Sequence, residues 1–174
     1  MYVYEKIKLD EHLPIKILDL YYESNGENIK KHWHNSIEIL VPILGKVEIW
    51  DNGHMVRSQN VDFCIINSKN IHEISFVSGY EVYKGYGIQI NYDYIKSIFP
   101  LIDHYEFVQP DGEVSWEIVR TIYRIVDIYD NDKEYGHIAI NGLNVCTFKK
   151  ITCKKKNMYF KKLLIILINI IKRT

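Results

Sequence analysis

Hydrophobic and polar positions alternate most strictly between Lys31 and Ile43. Trp33, Ile37, Ile39, Val41 and Ile43 hold one parity, and His32, His34, Ser36 and Glu38 hold the other. A period of two over a dozen residues predicts a strand with one apolar and one polar face. Leu40 and Pro42 break the polar parity late, and Pro42 predicts an edge or the end of pairing. Shorter runs of the same kind fill most of the chain between Leu13 and Gln109: Ile15 to Tyr22, Val47 to Trp50, Met55-Val56, Asp62 to Ile66, His72 to Val77 and Glu81 to Ile90. Between them lie turn-forming segments, Ser24-Asn25-Gly26, Gly45, Asp51-Asn52-Gly53 and Asn67-Ser68-Lys69-Asn70. Residues 2–12 suit an arm or an edge strand. Short strands at regular spacing, with no βαβ alternation, predict a sandwich or barrel.

The pattern changes after Ile90. Asn91 is placed to cap a short helix from Tyr92 to Phe99, stopped by Pro100. Ile118, Val119, Ile122, Ile125, Val126 and Tyr129 recur at three- and four-residue spacing and predict a long amphipathic helix over Val114 to Tyr129. Another helix is expected to begin near Tyr135 to Ile138 and to run past Leu143. The division expected is a barrel with an N-terminal arm over 1–109, dimerisation or linker helices over 110–148, and a basic, low-complexity helical tail over 149–174.

Composition adds little to the fold and more to the setting. A hydrophobic share of 47% and a charged share of 25% in 174 residues describe an ordinary globular chain with one sizeable core. The 14 tyrosines favour pleated surfaces. The formal net charge is zero, yet residues 149–174 hold 9 Lys/Arg and no acid, so the body is acidic and the tail basic. The three cysteines, Cys64, Cys146 and Cys153, form no C-x-x-C pair and are odd in number, which predicts a reduced, cytoplasmic protein. Glu5, Asp10 and Glu11 interrupt any signal-peptide core, and the run Leu163 to Ile168 is far short of the roughly 20 apolar residues of a membrane span.

Imidazoles and a carboxylate that converge from neighbouring strands bind divalent metals such as Zn, Mn, Fe or Ni. On a regular strand His32, His34 and Glu38 would share a face, and His72 would join them from the strand opposite. The same groups at a hydrated barrel mouth could instead bind one another, water or a sugar-like ligand. Tyr83, Gly85, Gly87 and Gln89 share a parity that would leave room for a ligand, or the glycines mark a bend. His12, His54, His104 and His137 read as surface residues. The chain has no G-x-x-x-x-G-K-S/T, G-x-S-x-G or H-E-x-x-H pattern.

These residues resemble a known family. Gly26, His32, His34, Glu38 and Gly45 match the first cupin motif in full. The second is degraded: its His falls on His72, but Val61, Asn67, Lys69 and Phe76 stand at its Gly, Pro, Gly and Asn positions, and Asp62 keeps half of its Gly-Asp step. The segments HWHNSIEIL, VDFCIINSKNIHEI and GYGIQINYDYIKSIFP resemble the amino-terminal sensor half of AraC-family transcriptional regulators over about residues 13–145.

The resemblance implies a mainly β chain with α: a cupin-like double-stranded β-helix (jelly-roll) barrel followed by two or three carboxy-terminal helices. It further implies a small-molecule effector, often a sugar, contacted by His32, His34, Glu38 and His72 with support from Tyr83 and Gln89. The arm at Tyr2 to Leu9 would be a lid, and the helix over 114–129 would form a homodimer. DNA would be read only by a carboxy-terminal pair of helix-turn-helix units, which cannot be placed on this sequence. No catalysis, no membrane and no required cofactor are expected, with a divalent metal at His32, His34, Glu38 and His72 as an option. The competing expectation is a metal-dependent cupin enzyme, a dioxygenase or sugar isomerase, using the same four residues.

Overall fold

The computed structural model describes residues 2–9, 12–23, 28–57, 63–109, 113–151 and 153–155. Two compact units divide at Ile95/Lys96. The first is built from strands β1 (Val3–Tyr4), β2 (Ile15–Glu23), β3 (Ile29–Trp33), β4 (Ile37–Leu44), β5 (Val47–Asp51), β6 (His54–Arg57), β7 (Cys64–Ile66), β8 (His72–Phe76) and β9 (Val82–Ile90).

These strands form a five-stranded sheet in the order β1-β3-β8-β5-β6 and a four-stranded sheet in the order β2-β9-β4-β7. Antiparallel pairing joins β2 to β9, β3 to β8, β4 to β7 and β5 to β6. Each successive pair lies inside the one before, so the chain is one long hairpin ribbon. Its tip is the turn Asn52-Gly53, where both residues have positive φ (46° and 87°), the conformation a two-residue hairpin loop requires. Winding the ribbon brings β4 beside β9 and β5 beside β8. That pairing scheme is the double-stranded β-helix, or jelly roll.

The expected single strand from Lys31 to Ile43 is two strands in two different sheets. The chain leaves the five-stranded sheet after Trp33, crosses at His34-Asn35-Ser36, and enters the four-stranded sheet at Ile37. Asn35 and Ser36 are turn-favouring residues set into the alternation. The return crossing, Asn67 to Ile71, is tied to the first: Lys69 N–H donates to the His34 carbonyl (2.9 Å) and the Ser68 hydroxyl to the Asn35 carbonyl (2.6 Å). Beyond the crossing both parities of β4 are buried from Ile37 to Val41. Leu40 joins Leu20, Val47, Ile49, Cys64, Ile66, Ile74 and Tyr83 in the interior cluster. Ile43, expected on the apolar face, is exposed, and the register slips between Pro42 and Leu44.

Helix α1 (Tyr92–Ile98) follows, capped as expected by the Asn91 side chain, which accepts from Tyr94 N–H at 2.9 Å. The second unit holds a 3-10 turn (Ile102–His104), β10 (Tyr105–Phe107), α2 (Glu113–Asn131), α3 (Gly136–Lys150) and β11 (Cys153–Lys155). Helices α2 and α3 pack on each other, and Ile118, Val119, Ile122, Ile125 and Val126 of α2 are buried. The expected helical tail from 149 is helical only to Lys150. Residues 153–155 pair antiparallel with β10, which satisfies their backbone in a sheet instead, and 156–174 lie outside the described residues. No helix among the described residues is long and apolar enough to cross a membrane.

Candidate metal centre

The two crossings bring the candidate ligands together. His32 is the penultimate residue of β3, His34 lies in the first crossing, Glu38 is the second residue of β4 and His72 opens β8, paired with His32 across the sheet. Convergence therefore comes from a change of sheet, not from a regular strand presenting three residues on one face. The ring centroids of His32 and His72 are 4.1 Å apart and those of His34 and His72 are 5.0 Å apart. One nitrogen from each of His32, His34 and His72 lies within 4.8 Å of the other two.

All three rings are held the same way. Nδ1 of His32, His34 and His72 donates to the backbone carbonyls of Lys30 (2.8 Å), Ser36 (3.0 Å) and Asn70 (3.0 Å). A carbonyl only accepts, so Nδ1 carries the hydrogen and Nε2 is left to bind a proton or a cation. Glu38 Oε2 stands 2.9 Å from His34 Nε2 and 3.6 Å from His72 Nε2. His34, His72 and Glu38 are all buried. Two acceptors do not approach to 2.9 Å unaided, so a proton or a cation bridges them.

Burial alone would push the Glu38 carboxyl up. Hydrogen bonding and positive charge from His34 and His72 outweigh it and hold the group at about 2. Burial also opposes protonation of His72, but Glu38, the Asn70 carbonyl and Asp51 raise it. For His32 burial wins over the Lys30 carbonyl and the two glutamates, so its pKa falls and the ring stays neutral. Neutral imidazoles and an ionised carboxylate are the donors a divalent transition metal takes. The buried Nε2 of His72, which has no hydrogen-bond partner, is the atom such a cation would satisfy. The residues present fit the metal.

Tyr83 and Gln89 lie on β9, Gln89 directly across from Glu38 on β4 and Tyr83 farther along the strand. Tyr83 belongs to the interior cluster, with its ring 6.0 Å from Phe76 and 6.4 Å from Tyr22. A small pocket of about 10 Å³, room for about one water, is lined by these aromatics together with Glu23, Lys46 and Tyr80. A Cβ on Gly85 would meet the Tyr83 hydroxyl at 2.7 Å, and one on Gly87 would touch Leu18 and Leu40 at 3.4 Å, so packing fills the space these glycines leave. Gln89 is buried opposite Glu38 on β9, and its Oε1 has no hydrogen-bond partner. His12, His54 and His104 are exposed and His137 is half-buried.

A larger groove, about 350 Å³, lies on the outer face of the five-stranded sheet and is lined by Tyr2, Lys31, Trp50, Asn52, Gly53, Ile71, His72 and Glu73, the His72 side chain itself being buried on the inner face. The local sequence held no sign of two further participants. Glu5 reaches His32 through the parallel pairing of β1 with β3, and the Tyr22 hydroxyl is raised by burial first and then by the charges of Glu38 and Glu5.

No protein-family model matches the chain, and no curated protein matches it. Solved structures do resemble it. A predicted oxalate decarboxylase from Thermotoga maritima is 24% identical over 43% of this chain and 64% of its own, with a TM-score of 0.38. An RmlC-like cupin with a double-stranded β-helix from Methanocaldococcus jannaschii is 14% identical over 53% and 96%, at 0.38. A cupin 2 conserved barrel domain protein from Salinispora arenicola is 16% identical over 49% and 73%, at 0.40. This chain thus spans just under two thirds of the first. The latter two are described as cupins, and the jelly-roll ribbon of this chain is read from its own strand pairing.

Proposed function

We propose that this chain is a metal-bearing effector sensor of the AraC type, which binds a small molecule beside the histidine centre, pairs with a second copy through α2 and does not itself catalyse a reaction. The observation that carries the reading is the groove. It has the volume of a small-molecule site and is lined by Tyr2, Lys31, Trp50 and Glu73 on the outer face of the five-stranded sheet, whose inner face carries the buried His72 ring. Trp50 and Tyr2 supply aromatic surface and Lys31, Asn52 and Glu73 supply polar groups, a mixture suited to a sugar-like effector. The AraC-like wording around His32, His72 and Gly85 agrees with it. A ligand that prefers one arrangement of arm and barrel would shift the population of that arrangement.

The test is a thermal-shift screen of sugars and small metabolites against wild type and Trp50→Ala, with metal analysis of protein purified without added metal. A ligand binding only the folded state raises the midpoint, and the Trp50 variant should lose that rise. A saturating screen without a hit would overturn the sensor reading.

A second reading, a metal-dependent dioxygenase or sugar isomerase, is favoured by the completeness of the set His32, His34, Glu38 and His72, each imidazole already oriented by its carbonyl. Turnover by metal-loaded protein that His34→Ala abolishes would establish it over the sensor.

A further inference from the structure

The N-terminal segment does more than run along the barrel edge. Val3 and Tyr4 pair in parallel with His32 and Trp33, the Tyr4 and Trp33 rings lie 4.7 Å apart, and Glu5 N–H donates to the Trp33 carbonyl at 2.9 Å. These contacts deliver the Glu5 carboxylate to 3.5 Å from His32 Nε2, the nitrogen that the Lys30 carbonyl leaves available. We propose that Glu5 is a further ligand of the metal centre, so that the cation is held by His32, His34, His72, Glu38 and the arm carboxylate, and its binding fastens residues 3–5 to β3. The inference rests on the metal-bearing reading above.

Charge supports the addition. Three neutral imidazoles and one carboxylate leave a divalent cation with a net positive charge in a site where the His34 and Glu38 side chains are 1% and 6% exposed. An uncompensated charge in such surroundings is costly, and a second carboxylate cancels it. Glu5 is the better placed to come and go, since its side chain is 41% exposed. The donor balance also shifts: a second carboxylate oxygen suits Mn²⁺ more than Zn²⁺, for which imidazole is already a good ligand.

The experiment titrates the 174-residue chain, stripped of metal with a chelator, with Mn²⁺ and with Zn²⁺ by calorimetry, for wild type, Glu5→Gln, Glu5→Asp and His34→Ala, and follows amide hydrogen exchange over residues 3–5. Expected for Glu5→Gln is a loss of about tenfold or more in Mn²⁺ affinity and a smaller loss for Zn²⁺. Glu5→Asp should recover part of it. Metal should slow exchange at the Glu5 amide in wild type and leave it unchanged in Glu5→Gln. Metal binding by wild type with Glu5→Gln equal to it in affinity and exchange overturns this inference alone. Absence of binding by folded wild type overturns it together with the metal-bearing reading.

Discussion

His34 Nε2 stands 2.9 Å from Glu38 Oε2, and the two side chains are 1% and 6% exposed. The pair spans the point where the chain changes sheets, so it fastens the crossing as well as forming half of the centre. Replacing Glu38 by Gln should weaken metal binding and also destabilise the metal-free protein by about 1–3 kcal/mol, because His34 and His72 stay buried without a carboxylate. Urea midpoints in chelator measure the second effect. An unchanged midpoint would show that the crossing holds without the pair.

The same pair sets a pH signature for the metal-free protein. Glu38 is held at about 2 against an ordinary 4.5, so its contribution is complete above 4.5 and is lost as pH falls through that interval. His72 is raised above its ordinary 6.5, so its contribution is complete below 6.5 and is lost as pH rises through its folded value. Together they place the greatest stabilisation by this cluster between about 4.5 and 6.5. The difference in urea midpoint between wild type and Glu38→Gln should peak in that window and shrink on both sides. A difference that is flat between about pH 4 and 8 would contradict the coupling.

Much of the centre was legible in sequence, and for a reason that partly misdescribed it. Even spacing grouped His32, His34 and Glu38, and they do meet, but only because Asn35-Ser36 carries the ribbon from one sheet to the other. A regular strand and a strand that crosses between sheets show the same parity at these positions. Leu40 looked like a flaw in a polar face because a half-buried strand was assumed. It is an interior residue of a strand buried on both sides, where alternation fades. Glu5 left no local signal at all, since its place depends on a parallel pairing with residues nearly thirty positions away. The Asn91 cap and the Asn52-Gly53 turn were readable because their chemistry lies within four residues.

Gly45 was legible as a turn but not as a packing constraint. Its φ is +78°, and a Cβ there would stand 2.4 Å from the Val82 carbonyl oxygen. Gly53 has a similar φ of +87° with open space around it. Gly45→Ala should therefore cost more than about 2 kcal/mol, combining backbone strain with a clash against main chain, and Gly53→Ala about 1 kcal/mol. Equal shifts in their urea midpoints would show that the backbone at Val82 moves aside freely.

Cys64 lies in the interior cluster, and burial pushes its thiol up to about 12. The thiolate is the reactive form, so this sulfur should resist alkylation in native protein and react once urea unfolds the barrel. Peptide mass spectrometry after iodoacetamide, read at Cys64 alone, makes the comparison. Rapid native labelling at about neutral pH would mean that β7 opens locally.

Trp116 and Tyr123 recur at helical spacing on α2 and are 59% and 40% exposed, although the helix already buries Ile118, Val119, Ile122, Ile125 and Val126. A helix that keeps two large aromatics on a second face suits the pairing proposed above. Sedimentation should give about twice the 20.7 kDa chain mass, and the urea midpoint should rise with protein concentration, because association stabilises only the folded state. Trp116→Asp with Tyr123→Asp should return the mass to that of one chain and remove the concentration dependence. Since both side chains are exposed in the single chain, the variant monomer should keep its far-ultraviolet spectrum. A wild-type protein that sediments as one chain at every concentration would remove the dimer from the functional reading and leave the metal centre untouched.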